Sequence, residues 1–427
     1  MGALNISEKV IRRRSDSCDN KALLVVGGGI EAVPGILLAK SMGLKVVVSD
    51  ANPNAPGFEV ADDTILASTY DPEGTTKAAI DYCSNIGGIH GVICIATDVP
   101  HTVAQVADKL GLPGIPVRAA QMAVDKLAMK LRFASNGLPV PWFSQVRSSE
   151  ELDQIVSKLG YPLVLKPVDS RGARGVLRLT AGIDLDWAYD FSVSYSPTNR
   201  VIVEKFLEGP QVSTESIILD SKAYTVGFAD RNYEFIERYA PNIIENGGEL
   251  PSRLPFEIQE RVRRLVAEAA KSMRIHTGVV KGDIVVHKEV PYIIEIAARL
   301  SGGYFCSHEI PLNAGVNFVG AAIRLALGEK LDASDITPRY NRFVAQRYLF
   351  PKPGRVVQIS GADKASSMPG IEFCELRVGV GDTVKTIDSH PARAGVVIAT
   401  GENRYHAVSR AEAAVNMISV VTEPFDN

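Results

Sequence analysis

Residues 23–50 read LLVVGGGIEAVPGILLAKSMGLKVVVSD, and this stretch constrains the fold more than any other. An apolar run, a glycine turn, a helix-period segment and a second apolar run ending on an acid make the opening of a parallel α/β unit. Gly27, Gly29 and Ala32 stand at the three positions of the dinucleotide fingerprint, and Asp50 stands about where a ribose-binding carboxylate would. Taken alone, the stretch fits a turn that holds NAD as well as a fold of the same type with no dinucleotide on it.

The pattern continues downstream. KVVVSD (45–50) and GVICIA (91–96) read as buried parallel strands, apolar on both faces because helices cover both. Helical patterns fall near 31–42, 74–83 and 101–111, so 22–116 is expected to be a Rossmann-like domain. A chain of 427 residues exceeds one ordinary core, and further domains must follow. SSEELDQIVSKLG (148–160) opens on a serine cap with acids in its first turn and reads as a helix. YPLVLKPV (161–168), VLRLT (176–180), VIVEKFLEG (201–209), 211–219, 222–229, GVVKGDIVVHKE (278–289) and VPYIIEIAA (290–298) read as strands, with a long amphipathic helix at 256–273. From about 341 the chain turns to short β segments rich in Gly and Pro, closed by a helix over SRAEAAVNMISVV. The expected organisation is an arm over 1–21, the Rossmann-like domain, a middle domain over 117–338 and a β-rich C-terminal domain over 339–427. The class is α/β and α+β multidomain.

Composition removes several functions. Lys and Arg number 46 against 49 Asp and Glu, a net charge of −3, which supplies no field for nucleic acid or an anionic membrane. No run approaches the roughly 18 apolar residues of a membrane span. The first 21 residues carry a basic IRRR without an apolar core, so they read as a disordered arm and not as a signal peptide. Cys18, Cys83, Cys94, Cys306 and Cys374 are dispersed with no CxxC pair, as suits reduced thiols in a cytoplasm. The histidines show no HxH or HExxH spacing for zinc.

Four features of the middle region carry chemistry. Lys166 sits in an apolar strand just before the loop DSRGARG (169–175). It is either an edge-strand lysine reaching solvent or a buried ammonium that needs an anion, with successive loop N–H groups forming a phosphate concavity. Glu204, in VIVEKFL, is either a solvent-facing charge or an acceptor for an adenine amino group. Asp283 and Glu295 lie in neighbouring apolar strands across the turn at HKEVP. They are either one exposed acid per strand or a converging pair that requires a proton or a cation, Mg²⁺ fitting an all-oxygen site that faces phosphates. Arg299, ahead of Ser301-Gly302-Gly303, is either a structural ion-pair member or a clamp for a carboxylate or a transferring phosphoryl group.

In this order, with Lys126 on the preceding helix, the features resemble the ATP-grasp superfamily. The resemblance runs from residue 22 almost to the C-terminus. DKLAMKLRFASNGLPVP looks like the helix whose basic residue, here Lys126, touches nucleotide phosphates. LVLKPVDSRGARGV looks like the strand and glycine loop that fold over a triphosphate, implying Lys166, Ser170, Gly172, Arg174 and Gly175 as ATP-binding residues. VIVEKFLEG resembles the adenine hinge, Glu204, Lys205, Phe206 and Leu207, and DIVV with YIIEIAAR resembles the metal strands. The tail from PKPGRVV looks like the C-terminal domain of the biotin-carboxylase-like branch, which includes purine-pathway and L-amino-acid ligases. The middle region would then be the ATP-grasp domain, with a lid at about 145–208.

Several positions depart from the family pattern. Gln211 stands where a ribose-binding glutamate is common, with Glu215 as its substitute, and Ala297 replaces a metal-binding asparagine, which bears on a second metal ion. The Gln-Val-Glu-His run of biotin carboxylases is absent after Arg299, and no Met-Lys-Met biotinylation site is present.

The resemblance implies an acyl-phosphate ligase using ATP and Mg²⁺, with Mn²⁺ as a possible replacement. Its substrates would be a small carboxylate and an amine; dimers are common in the resembled branch, and the oligomeric state stays open. Arg299 and Lys166 would offset charge on the transferred group, and Glu245 would take the amine proton. Arg231, Arg299, Ser301, Gly302, Gly303 and His308 would line the substrate side, with Gly28 and Gly29 of the first domain facing the same cleft; Arg231 alternatively pairs with Glu234 or Glu237, and His308 is a second candidate for the amine proton. Competing readings are an NAD oxidoreductase, a purine-pathway ligase acting on a phosphoribosyl substrate, and a silent nucleotide-binding protein.

Overall fold

The structure is a computed structural model that describes residues 21–425. The arm expected over 1–21 lies outside the described residues except for Lys21, and so does Cys18. Among the described residues no helix is long and apolar enough to cross a membrane.

The first sheet is parallel, in the order Asp63–Leu66, Lys45–Asp50, Ala22–Val26, Gly91–Ile93. Leu23, Val25, Val46 and Val48 enter one core with Ile36 and Ala39, while Leu24, Val26 and Val47 enter another with Ala79, Tyr82 and Val106. Burial on both faces is why these strands read as unbroken apolar runs. Asp63–Leu66 was not legible, because only Ile65 of this edge strand is buried.

A second, antiparallel sheet runs Phe143–Val146, Val201–Lys205, Leu163–Pro167, Leu177–Leu179. The helices Ser149–Leu159 and Leu185–Ser194 pack on it around Leu152, Leu163, Leu165, Ala188 and Val203.

The central sheet has eight strands: Val290–Ala297, Gly278–His287, Gln211–Leu219, Lys222–Arg231, Gly248–Leu250, Phe343–Leu349, Gly395–Gly401 and Ile371–Leu376. The β-rich tail therefore adds strands to the central sheet, joined through the short strand Gly248–Leu250 at Glu249↔Ala345 and Leu250↔Val344. A three-stranded sheet of Thr383–Val384, Gly354–Ser360 and Ser419–Glu423 completes the fold. The closing helix is shorter than expected at its C-terminal end: it spans Arg404–Met417, and the following segment is a strand paired with Gly354–Ser360. Ile418, Val420, Val421 and Thr422 are β-branched and favour an extended chain once a partner strand is beside them.

Candidate active site

Between the second sheet and the central sheet lies a cleft. Its lining includes Lys126, Lys166, Ser170, Gly172, Glu204, Lys205, Phe206, Leu207, Gln211, Arg231, Asp283, Glu295 and Arg299. The features read separately from the sequence are thus brought to one place.

Lys166 is 4% exposed, and its Nζ lies 2.8 Å from Glu204 Oε1. A second ammonium reaches the same oxygen: Lys130 Nζ, at 3.0 Å. Lys130 was missed, although DKLAMK places it one turn after Lys126 on the helix Lys126–Ser135, hence on the same helix face. Burial pushes Lys130 down to about 8 against the attraction of Glu204. Burial alone would raise the Glu204 carboxyl, but Lys130 and Lys166 outweigh it and hold the group below the ordinary range, ionised. With two ammonium groups on it, Glu204 Oε1 is a saturated, buried oxygen, and the following residues Lys205, Phe206 and Leu207 line the cleft beside it.

The loop Asp169–Gly175 is in the left-handed region at Gly172 (φ +65°), Ala173 (φ +61°) and Gly175 (φ +71°). A Cβ on Gly175 would meet Pro167 and Tyr195 at 2.9 Å, so only glycine fits there. Lys126 Nζ donates to the Ser170 carbonyl at 2.7 Å, the His390 backbone N–H donates to the Gly172 carbonyl at 3.0 Å, and Arg171 stacks on Tyr70 at 4.2 Å. The loop is held over the cleft from three sides. Arg174 turns back onto the Arg171 carbonyl at 3.2 Å and, like Gly175, shapes the loop from outside the cleft lining.

Asp283 and Glu295 are register partners on adjacent antiparallel strands, so their side chains share a face. Each carboxylate is held by its own cations. Asp283 accepts from Ser213 Oγ at 2.8 Å and pairs with Lys281 at 2.5 Å and Arg231 at 3.2 Å. Burial would raise it, but Arg231 and Lys281 hold it well below the usual range. Glu295 pairs with Lys126 at 3.1 Å. Among the described residues no group of three or more His, Cys, Asp or Glu could hold a metal by itself. Two carboxylates completed by phosphate oxygens are a donor set that suits Mg²⁺, which takes few protein ligands. The buried trio of Lys166, Glu204 and Lys130, the left-handed glycine loop and this acid pair together fit MgATP.

At the far end of the cleft Arg299 Nε lies 3.4 Å from Asp98 Oδ1, and its NH1 donates to the Leu300 carbonyl at 3.3 Å. Burial would raise Asp98, but Arg299, Lys126 and Arg171 keep its carboxyl below the usual range. Asp98 belongs to the first domain and was missed, since ATDVP carries no local signal for a partner 201 residues away.

Glu215 is 0% exposed and lies outside the cleft lining. It accepts from the Ser301 N–H at 3.1 Å and from the Ser301 hydroxyl, and burial raises it to about 7. It shares a strand face with Gln211, but four residues put it roughly 13 Å further along, toward Arg299. A ribose contact suits Gln211, which does line the cleft, and not Glu215.

Arg231 pairs with Glu245 at 2.5 Å and with Asp283, not with Glu234 or Glu237. Glu234 accepts from Asn246, and Glu237 pairs with Arg178. Glu245 stands behind Arg231, outside the cleft lining, and its backbone N–H donates to His390 Nε2 at 3.4 Å. His390 and Lys281 line the cleft and were not read from the sequence. His308 is placed elsewhere, between Tyr304 and Phe373 with ring centroids 5.1 and 4.5 Å away, and burial lowers it to about 4, so it is neutral.

Ser301, Gly302 and Gly303 form the seam with the first domain. The Gly303 N–H donates to Glu31 Oε2 at 2.7 Å, and Glu31 also pairs with Arg377 at 2.5 Å. Gly303 and Tyr304 are successive left-handed residues ahead of a π-helical turn, Phe305–Glu309, an irregularity typical of functional loops. Gly28 is buried, with its N–H on Asp50 Oδ2 at 2.8 Å and its carbonyl on the Gly57 N–H at 2.7 Å. Gly29 is exposed, and neither glycine lines the cleft. Glu31, three residues beyond Gly28, is the residue of that turn that reaches the 301–303 loop.

An antiparallel sheet, a glycine loop, and an in-register acid pair facing buried lysines are the parts of an ATP-grasp domain. Residues 123–303 match the model of the ATP-grasp domain, and 347–423 match that of L-amino acid ligase C-terminal domain 2. The chain thus carries an ATP-grasp domain followed by an L-amino acid ligase C-terminal domain 2. Its fold is similar to that of L-amino acid ligase from Bacillus licheniformis, with TM-score 0.78 and 20% identity over 95% of this chain and 99% of that one. It is also similar to that of phosphoribosylglycinamide synthetase from Anaerococcus prevotii, with TM-score 0.72 and 18% identity over 95% and 100%. A D-alanine–D-alanine ligase of Desulforudis audaxviator is 30% identical over 196 residues, 44% of this chain and 62% of that one.

Proposed function

We propose that the protein joins a small carboxylate, an amino acid or a related acid, to an amine through an acyl phosphate, releasing ADP and phosphate. The observation that carries this reading is the charge layout of the cleft, in which Lys126, Lys166 and Arg299 surround an in-register acid pair. Phosphoryl transfer needs little from a protein beyond positioning and charge stabilisation. Mg²⁺ (or Mn²⁺) held by Asp283 and Glu295 would neutralise charge on the transferring group. Lys126 and Lys166 hold the phosphates, and the loop 169–175 closes over them and excludes water. Arg299, anchored on Asp98, offsets charge where the substrate carboxylate attacks. Arg231, which lines the cleft, takes the carboxylate of an amino-acid substrate, and Glu245 behind it orients that guanidinium instead of taking the amine proton. We expect the chain to act as a homodimer, to be checked by its mass in solution.

A purine-pathway ligase acting on a phosphoribosyl substrate is the second reading, favoured by the fold shared with phosphoribosylglycinamide synthetase. NAD on the opening turn is disfavoured by Asp50, whose oxygens are taken by the N–H groups of Gly28 and Asn52 at 2.8 and 2.9 Å. The test is an ATP-consumption screen of carboxylates crossed with amines, with products identified by mass spectrometry. ADP, phosphate and an amide from an amino acid are expected. Turnover only with a phosphoribosyl amine would select the second reading, and no turnover with MgATP bound would mark a silent nucleotide-binding protein.

A further inference from the structure

The helix Lys126–Ser135 points two lysines at the nucleotide wall, and only the first reaches the cleft surface. Lys130 is 1% exposed, does not line the cleft, and contacts Glu204 at 3.0 Å and the Ile293 carbonyl at 3.4 Å. The charged groups around it are Glu204 and Lys166 on two strands of the lid sheet and Glu295 on the central sheet. A buried ammonium is costly, and this one is placed where it touches no ligand.

The role follows from counting charge. Lys166 and Glu204 by themselves are a neutral buried pair, and Glu204 would draw Lys166 into the wall. With Lys130 behind the carboxylate the trio carries one net positive charge, and of its two cations Lys166 is the one that lines the cleft, beside Glu204. We propose that Lys130 is a positioning residue that neutralises Glu204 from behind, leaving the charge of Lys166 to a nucleoside triphosphate. The proposal rests on MgATP binding in this cleft.

The test is calorimetric binding of a non-hydrolysable MgATP analogue and of adenosine, which lacks the phosphates, to the wild type, Lys130→Met, Lys130→Arg and Lys130→Met/Glu204→Gln. Loss of a buried charge partner is expected to weaken triphosphate binding of Lys130→Met roughly tenfold or more. Adenosine binding should change far less, Lys130→Arg should stay near wild type, and the double variant, with its net charge restored, should recover most of the loss. Equal weakening of both ligands, or no recovery in the double variant, would overturn the proposal in favour of a packing role. If Lys130→Met does not fold, the double variant and Lys130→Arg still decide it, since wild-type-like triphosphate binding in both is required. A wild type that binds no MgATP would instead overturn the function, a separate result.

Discussion

Asp283 and Glu295 stand directly opposite each other on adjacent antiparallel strands, yet each is neutralised by a different set of cations. Asp283 takes Arg231 and Lys281, and Glu295 takes Lys126. Two carboxylates that would repel are thereby each paired with cations of their own, which a metal ion is proposed to replace.

Glu295→Ala removes one of the two carboxylates of this pair and leaves Lys126 without its carboxylate partner. ATP-dependent turnover should fall at least ~10²-fold, the scale of losing one preorganised charge in a transition state. ADP release measured across a magnesium titration checks this, and near-normal turnover would withdraw the metal assignment.

Lys166→Ala should also lower the rate by ~10²-fold or more, because the ammonium is buried against Glu204 and cannot be replaced by a water-exposed lysine. An unchanged rate in a coupled ADP assay would make Lys166 only a structural partner of Glu204.

Asp98→Asn tests whether the first domain sets Arg299, the arginine proposed to act in catalysis. Without the carboxylate, Arg299 loses its only carboxylate partner at ion-pair distance among the described residues. kcat should drop roughly tenfold, about 1.4 kcal/mol, while KM for ATP stays near its original value. Asp98→Glu should recover part of the loss. A fall in ATP affinity with kcat intact would show that Asp98 serves the nucleotide end of the cleft.

Glu215 predicts a pH dependence of stability. Its folded pKa is raised to about 7 by burial, above the ordinary value of 4.5. The folded state therefore keeps a proton that the unfolded chain has already lost between these values. The stability this contributes is full below about 4.5 and is lost as pH rises through about 7, a loss on the order of 3 kcal/mol. Glu215→Gln keeps an uncharged side chain at all pH, so it should match the wild type near pH 5 and exceed it near pH 8. Denaturant midpoints at the two pH values measure this, and equal midpoint differences at both would place the titration elsewhere.

Much of the cleft was legible because its parts are local. The lysine in LVLKPV, the glycine loop after it, the acid in VIVEKFL and the acids of DIVV and YIIEIAAR each break a strand pattern at one position, and such breaks are visible without a partner. Lys130 was legible only in part, by its spacing from Lys126, because its meaning depends on Glu204. His308 misled: beside a glycine loop it looked available, but packing against Tyr304 and Phe373 keeps it neutral and away from the cleft.

By itself the sequence determined the strand and helix periods, the glycine loop and the order of charges, since side-chain alternation and turn chemistry act over a few residues. The tertiary structure decided which cation meets which acid: Asp98 with Arg299, Glu31 with the 303 amide, Lys130 with Glu204, and Asp50 with its own turn. Ion pairs form at contact distance between elements that packing of separate apolar faces brings together, and that distance has no counterpart in the spacing of residues along the chain.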